Sequence, residues 1–235
     1  MPGRGTGERL SVDPHNSNII YFGARSGNGL WKSTDGGATF SKVTSFTNTG
    51  TYDSNPGQEY GGIMGLLFVT FDSTSSTING ATSRIFVGVA DNTASVYESK
   101  DAGSTWSAVP GQPGKYFPHK CKLQPTEKAL YLSYSNGIGP YDGSNGSVWR
   151  YDLMANTWRD ITPPVGWSTP YFGYGGLAVD MQKPGTLMVA SLNSWWPSAQ
   201  IYRSNDSGLS WTPIWEWGDP YYPNKLRYYS LSVRP

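Results

Sequence analysis

The chain has one cysteine, Cys121, and two histidines, His15 and His119, among its 235 residues. A single thiol excludes an intrachain disulfide and a thiolate metal site. Two distant histidines with no partner spacing give no zinc motif, so neither a metal nor a cofactor is expected. Charge is also sparse, at 15% Asp, Glu, Lys and Arg, where an average soluble protein has about 25%. The 18 basic and 17 acidic residues leave a net charge of +1, without a Lys/Arg run. That argues against nucleic acid or an anionic membrane as partner and favours a neutral ligand. No stretch of about twenty apolar residues is present, which excludes a transmembrane helix. The opening Met1-Pro2-Gly3-Arg4-Gly5 lacks the apolar core of a signal peptide. These features fit an intracellular protein, or one whose true N-terminus is missing from the chain.

Turn formers and rings are abundant: 29 Gly, 17 Pro and 14% aromatic residues. Such a mixture suits one all-β domain of many short strands and tight turns. One pattern, Ser-x-Asp-x-Gly-x-(Thr/Ser)-aromatic, occurs without a gap at Ser33–Phe40, Ser99–Trp106 and Ser204–Trp211, and a worn copy runs from Tyr151 to Trp158. The closing aromatics at 40, 106, 158 and 211 are spaced by 66, 52 and 53 residues, the period of β-propeller blades. In such a turn, often called an Asp-box, the carboxylate accepts bonds from backbone N–H groups and Gly takes a positive φ. Asp35, Asp101 and Asp206 are therefore read as structural. Glycosidase carboxylates come as a facing pair, not as a repeat every fifty-odd residues.

A second signature runs in phase with the first. Short apolar stretches close on Asp13-Pro14, Asp72, Gln124-Pro125, Asp180 and Arg234-Pro235. Taking Val12, Phe71, Leu123, Val179 and Val233 as equivalent gives spacings of 59, 52, 56 and 54. Each stretch reads as the innermost strand of a blade. The expected architecture is an all-β propeller of four-stranded antiparallel blades with Asp-box turns. Blades fall at about 1–60, 61–115, 116–172 and 173–230, with a fifth inner strand beginning at 231–235. Predicted strands are 9–12, 19–24, 29–33 and 39–43; 63–71, 84–89, 95–99 and 105–109; 119–123, 129–134, 147–151 and 157–161; and 175–179, 186–192, 200–204 and 210–215. Four blades do not close a larger ring, so 1–235 is read as part of a seven-bladed propeller; the alternative is a complete four-bladed one.

Long connections at 45–61, 111–118, 162–174 and 193–199 are where a rigid sheet scaffold carries binding groups. Asn193-Ser194-Trp195-Trp196-Pro197 has the form that a sugar chain requires, with flat rings to stack on C–H faces and polar groups for hydroxyls. Adjacent Trp residues in a loop are hard to bury together. Tyr52, Tyr116, Tyr141, Tyr171 and Tyr174, with Asp142 beside Tyr141, could extend that platform. Trp31, Trp106, Trp149, Trp158 and Trp211 lie on strands or at motif ends and are assigned to packing. Trp215 and Trp217, which bracket Glu216, are left open. Asp91 is read as a turn or sugar-binding residue and His119 as bonding locally in a loop. Asn145-Gly146-Ser147 and Asn205-Asp206-Ser207 match the glycosylation sequon.

Several blocks resemble the N-terminal propeller of glycoside hydrolase family 74: Gly5 to Pro14, Tyr21 to Ser33, Arg84 to Asp91, Gly139 to Gly143, Tyr174 to Leu177 and Pro213 to Trp217. They follow the family's order across nearly the whole chain. The resemblance implies a secreted xyloglucan-active β-1,4-glucanase built of two seven-bladed propellers, with the glycan in a cleft between them; it is read here as an endo-glucanase, although the sequence leaves endo and chain-end action open. It implies inversion by an Asp base and an Asp acid, whose carboxyls must stand about 6.5–9.5 Å apart to hold a water. It places that base before the segment matching Gly5 and that acid beyond Pro235, so no residue of this chain is assigned a catalytic role. It also implies that the loop bearing Asn193, Trp195 and Trp196 lines product-side subsites. Two rival readings remain. One is a non-catalytic propeller for protein interaction, as in sortilin-like receptors, although a Cys-rich stretch is missing. The other, ranked last, is a sialidase, although Arg4, Arg9, Arg25 and Arg84 do not form its Arg cluster.

Overall fold

The computed structural model describes residues 8–53, 62–137, 143, 145–164, 173–192 and 200–215. These are strands, turns and loops, with no helix among the described residues. They fall into two compact units, from Gly7 to Pro118 and from His119 onward, where the sequence reads as one continuous domain. The fifth inner strand expected at 231–235 lies outside the described residues.

The first unit holds two four-stranded antiparallel sheets. β1 (Leu10–Asp13), β2 (Asn16–Gly23), β3 (Leu30–Ser33) and β4 (Ser41–Lys42) form one meander. β5 (Leu66–Phe71), β8 (Ile85–Val89), β9 (Val96–Ser99) and β10 (Ser107–Ala108) form the other. A small hairpin, β6 (Thr77–Ile78) and β7 (Ala81–Thr82), interrupts the second sheet between β5 and β8. The second unit repeats the plan. β11 (Phe117–Gln124), which begins at the boundary, pairs in order with β12 (Ala129–Ser135), β13 (Gly146–Asp152) and β14 (Thr157–Asp160). β15 (Tyr174–Val179), β16 (Leu187–Ser191), β17 (Ile201–Ser204) and β18 (Thr212–Trp215) follow.

The burial pattern shows why the inner strands are so legible. Every residue of β8, β12 and β15 is buried, so these strands are continuous apolar runs instead of alternating ones. The outer strands β4 and β10 are exposed throughout and only two residues long, shorter than their sequences suggested. A strand with water on its outer side has no apolar face to fix a longer register. The core of the first unit joins Tyr21, Leu30, Phe46, Leu66, Val69 and Val87. That of the second joins Tyr131, Val148, Tyr174, Leu177, Val189 and Tyr202. Each such side chain contributes roughly 1.5–3 kcal/mol on burial.

The repeated turn is built from hydrogen bonds that recur copy by copy. In the second copy the Ser99 hydroxyl donates to Asp101 Oδ1 at 2.8 Å and accepts from Gly103 N at 2.8 Å. Asp101 in turn accepts from Thr105 N at 2.8 Å and from the Thr105 hydroxyl at 2.6 Å. Ser33–Asp35–Thr39 and Ser204–Asp206–Ser210 repeat the set. These donors hold the Asp35 and Asp206 carboxyls down at about 2, chiefly through the hydroxyls of Thr39 and Ser210, and also depress Asp101. Two successive residues take the left-handed conformation: Gly36 and Gly37, Ala102 and Gly103, Ser207 and Gly208.

In the second and third copies the glycine of the pair also lets the neighbouring sheet approach. A Cβ on Gly103 would stand 2.2 Å from the Tyr21 hydroxyl, and one on Gly208 would stand 2.7 Å from Ile161 Cβ. The closing aromatics reach the same neighbours, since Trp106 meets Phe46 edge-on at 5.2 Å and Trp211 Nε1 donates to Ile161 O at 2.8 Å. Trp158 lies against Tyr151 at 4.6 Å. Trp31 and Trp149 are only half-buried, less enclosed than a packing role on a strand implies. The worn copy is a different turn, in which Asp152 accepts from Met154 N and Ala155 N and Asn156 takes the positive φ.

The β6–β7 hairpin, not foreseen from the sequence, has a defined purpose. Buried Asp13, at the end of β1, accepts from Thr82 N at 2.8 Å and from the Thr82 hydroxyl. The hairpin thus docks onto the β1–β2 turn of the adjacent sheet.

Ser99 is fully enclosed, and losing its hydroxyl leaves Gly103 N without its acceptor. Ser99→Ala should destabilise the chain by about 1–3 kcal/mol. Urea unfolding should show a lower midpoint at an unchanged slope.

Candidate functional site

A four-stranded meander places its first and third connections at one end and its second at the other. Within each unit the Asp-box turns lie at the same end of their sheets as the first connections, β1–β2 in the first unit and β15–β16 in the second. In each unit the opposite, loop end is marked by the described residues 24–29, 43–53, 62–65, 90–95 and 109–116 in the first and 136–137, 143, 145, 161–164, 173, 192 and 200 in the second. The described residues of the long connections chosen at 45–61, 111–118 and 162–174 belong to these ends, and 193–199 lies outside the described residues.

In both units one glycine joins these loops at their bases. Gly65, just before β5, accepts from Ala90 N at 2.9 Å; Gly173, just before β15, accepts from Leu192 N at 2.8 Å. A Cβ on Gly65 would lie 2.5 Å from Ala24 O, and one on Gly173 would lie 2.1 Å from Ser135 Oγ. Both inner strands then carry a bulge at their start, at Leu66/Phe68 and Tyr174/Gly176. In the second unit Gly173 N also donates to Gly143 O at 2.7 Å, and Asn136 N donates to Asn145 O at 2.9 Å. Three loop bases are therefore tied through backbone atoms within a few residues of Gly173. A signal for the joint existed: Gly65 and Gly173 both stand six residues before the equivalent positions Phe71 and Val179.

The predicted platform residues Asn193, Trp195 and Trp196 fall in the β16–β17 connection, and Tyr141 and Asp142 in the β12–β13 connection. All five lie outside the described residues, as do Tyr171, Glu216 and Trp217 and the side chain of Trp215. Tyr174 is a correction. It is 2% exposed, belongs to the core cluster and has its hydroxyl pKa pushed far up by burial, so it offers no ring face to a sugar. Its place on a bulged inner strand turns it inward, which the loop-side reading missed. Tyr52 is half-buried with its ring against Phe117 at 4.7 Å, and Tyr116 is half-buried beside Lys115.

The loop-end carboxylates serve as local acceptors. Asp91 accepts from Thr93 N and the Thr93 hydroxyl, Asp160 from Thr162 N and the Thr162 hydroxyl, and Asp53 from Gly62 N. Among the described residues no group of three His, Cys, Asp or Glu is placed to hold a metal ion, and no helix is long and apolar enough to cross a membrane.

His119 lies on β11, as the strand expected at 119–123 implies, and not in a loop; it is fully buried, with Nε2 2.6 Å from Gly137 O, eighteen residues along the chain. A carbonyl only accepts, so Nε2 carries the proton of a neutral ring. Burial, followed by the proximity of Lys120, drives its pKa down to about 4, against the raising effect of the Gly137 carbonyl. Because the folded value lies below the unfolded one, the linked stability is complete above about pH 6.5. It is lost as pH falls through 4, by roughly 3 kcal/mol. A chain carrying His119→Gln should lose that part of its pH dependence between 6.5 and 4, read from urea midpoints at stepped pH.

Paired sheets with repeated Ser-x-Asp turns and long loops at the opposite end define a segment of a β-propeller. No model of a protein family matches the chain. The chain is 72% identical over 237 residues to a xyloglucanase of Hypocrea jecorina, covering 99% of this chain and 28% of the relative. It is 57% identical over 235 residues to a xyloglucanase of Paenibacillus sp., covering 99% and 23%. Among solved structures, the GH74 xyloglucanase from Xanthomonas campestris superposes with a TM-score of 0.82 at 36% identity, covering 92% of this chain and 31% of that one. The chain belongs to glycoside hydrolase family 74, and it spans about a quarter of the length of the curated relatives it matches.

Changing Gly173 to Ala should separate the loop bases, because its new methyl meets Ser135 Oγ and the Asn145 carbonyl. The expected result is a lower thermal midpoint for Gly173→Ala, with part of the loss recovered in the Ser135→Gly/Gly173→Ala double variant.

Proposed function

We propose that this chain is the glycan-binding part of a secreted, xyloglucan-specific endo-β-1,4-glucanase of two propellers. The observation that carries this reading is the 72% and 57% identity to xyloglucanases across 99% of the chain. The lower identity, 31%, to a reducing-end-specific xyloglucanase of Emericella nidulans supports the endo mode within this reading. In this reading the loop end faces the polysaccharide. Trp195 and Trp196 stack on sugar rings, while Asn193 and Asp142, with Tyr141, meet hydroxyls and ring edges. A neutral glucan requires no salt bridges, which agrees with a chain of net charge +1. Hydrolysis with inversion requires two carboxylates across a water, and none of this chain's carboxylates is assigned to that pair. Asp53, Asp91 and Asp160 are committed to loop geometry instead.

The purified chain should bind xyloglucan weakly and release no reducing sugar. Trp195→Ala and Trp196→Ala should each weaken xyloglucan binding about tenfold, equivalent to about 1.4 kcal/mol, in calorimetry or affinity electrophoresis. Unchanged affinity in both variants would favour a protein-binding propeller. Sugar release that disappears with Asp91→Asn would overturn the division between binding and chemistry.

A further inference from the structure

Of the two sequons, Asn145-Gly146-Ser147 stands at the loop end and Asn205-Asp206-Ser207 at the turn end. The structure separates them in chemistry as well as in place. Asn205 is the second residue of the third Asp-box, a position exposed in all three copies, where Thr34 and Lys100 are its counterparts. The bonds that hold the turn skip it: Ser204 pairs with Asp206 and Gly208, and Asp206 pairs with Ser210. Its own side chain makes a single marginal contact, in which Asn205 Oδ1 accepts from the Thr186 hydroxyl at 3.5 Å. That contact uses Oδ1 and leaves Nδ2 of this exposed residue without a hydrogen bond. Asn145, by contrast, is tied by its backbone to Asn136 on both sides, through Asn136 Oδ1 and Asn136 N, at the base of a long connection.

We propose that Asn205 is a site of asparagine-linked glycosylation when the chain passes through a eukaryotic secretory pathway. This rests on the secretion proposed above, and a fungal relative at 72% identity gives that setting substance. The transfer forms a bond from Asn205 Nδ2 to the anomeric carbon of a lipid-linked oligosaccharide pyrophosphate. It breaks that carbon's bond to the pyrophosphate oxygen. The lipid pyrophosphate leaves with the electron pair, and one amide proton passes to a base on the transferase. In the folded turn the Ser207 hydroxyl donates to Glu127 Oε1, so the sequon hydroxyl is free only before this turn docks against the β11–β12 turn of the neighbouring sheet. Modification therefore precedes that docking. The folded turn then holds the glycan at the end of its sheet opposite Gly173, Leu192 and Gln200, where it leaves the proposed glycan binding undisturbed.

The test uses the full chain secreted from a fungal host and mapped by mass spectrometry. The tryptic peptide beginning at Ser204 should carry an oligosaccharide, and glycosidase release should leave aspartate at 205. Asn205→Gln should remove that mass with little change in the thermal midpoint, since it sacrifices only the Thr186 contact. An unmodified Ser204 peptide from folded, secreted chain would overturn the proposal. In an Asn145→Gln chain, xyloglucan affinity should be equal before and after glycan release; a several-fold gain on release would overturn the placement. Occupancy is read by mass alone, so a chain that binds no xyloglucan in either form would sink the proposed function and leave the glycan site standing.

Discussion

Everything in this chain depends on a short turn that closes itself with its own side chains. A Ser hydroxyl and an Asp carboxylate satisfy the backbone N–H groups of a tight left-handed corner, which an exposed turn would otherwise leave to water. That closure permits two consecutive positive φ values, one of them at non-glycine Ala102 or Ser207, a strained choice for a residue with a Cβ. The corner's glycine then admits the adjacent sheet to within touching distance of Tyr21 or Ile161. A local hydrogen-bond set thereby becomes the joint between neighbouring blades, and the cores form around it.

The two ends of the sheets divide the work. The turn end is short, polar and self-satisfied, with carboxyls locked in the ionised form by hydroxyl and amide donors. The second residue of each turn is exposed and takes no part in the bonds that close it. At the loop end, the bases of the connections are fixed by backbone bonds at Gly65 and Gly173, while their carboxylates stabilise Asp-x-Thr corners. Under the proposed function, such an end would present rings and amides to a neutral polymer. Affinity for a long neutral chain is gathered from many weak stacking and hydrogen-bonding contacts, and rigid loop bases reduce the ordering each contact must overcome.

Much of the fold was legible because a blade is a repeat. Apolar inner strands and the Ser-x-Asp turn recur in phase, so two periods marked the same four sheets. The strands β5, β12 and β15 fell close to their expected ranges, whereas β4 and β10 shrank to two residues because their exposed faces carry no burial signal. The β6–β7 hairpin escaped because its reason lies in Asp13, some seventy residues away along the chain. Tyr174 was misjudged for a similar reason. Its flanking Gly-rich segment reads as loop, but the bulge after Gly173 rotates the ring into the core. His119 looked like a lone polar residue and proved to be a buried neutral donor, because only the paired β11 and β12 bring Gly137 O to its ring.

By itself, the sequence determined the sheet architecture, the turn chemistry and the family, since each is written in local patterns and their spacing. Only the tertiary structure decided which side chains the joints consume and which they leave to solvent. Strand pairing and sheet approach set Cβ clearances, register and burial, and these arise between residues far apart in the chain. Tyr174 and Asn205 are the two sides of that decision: one ring drawn into the core, one amide left facing water on the quiet end of its sheet.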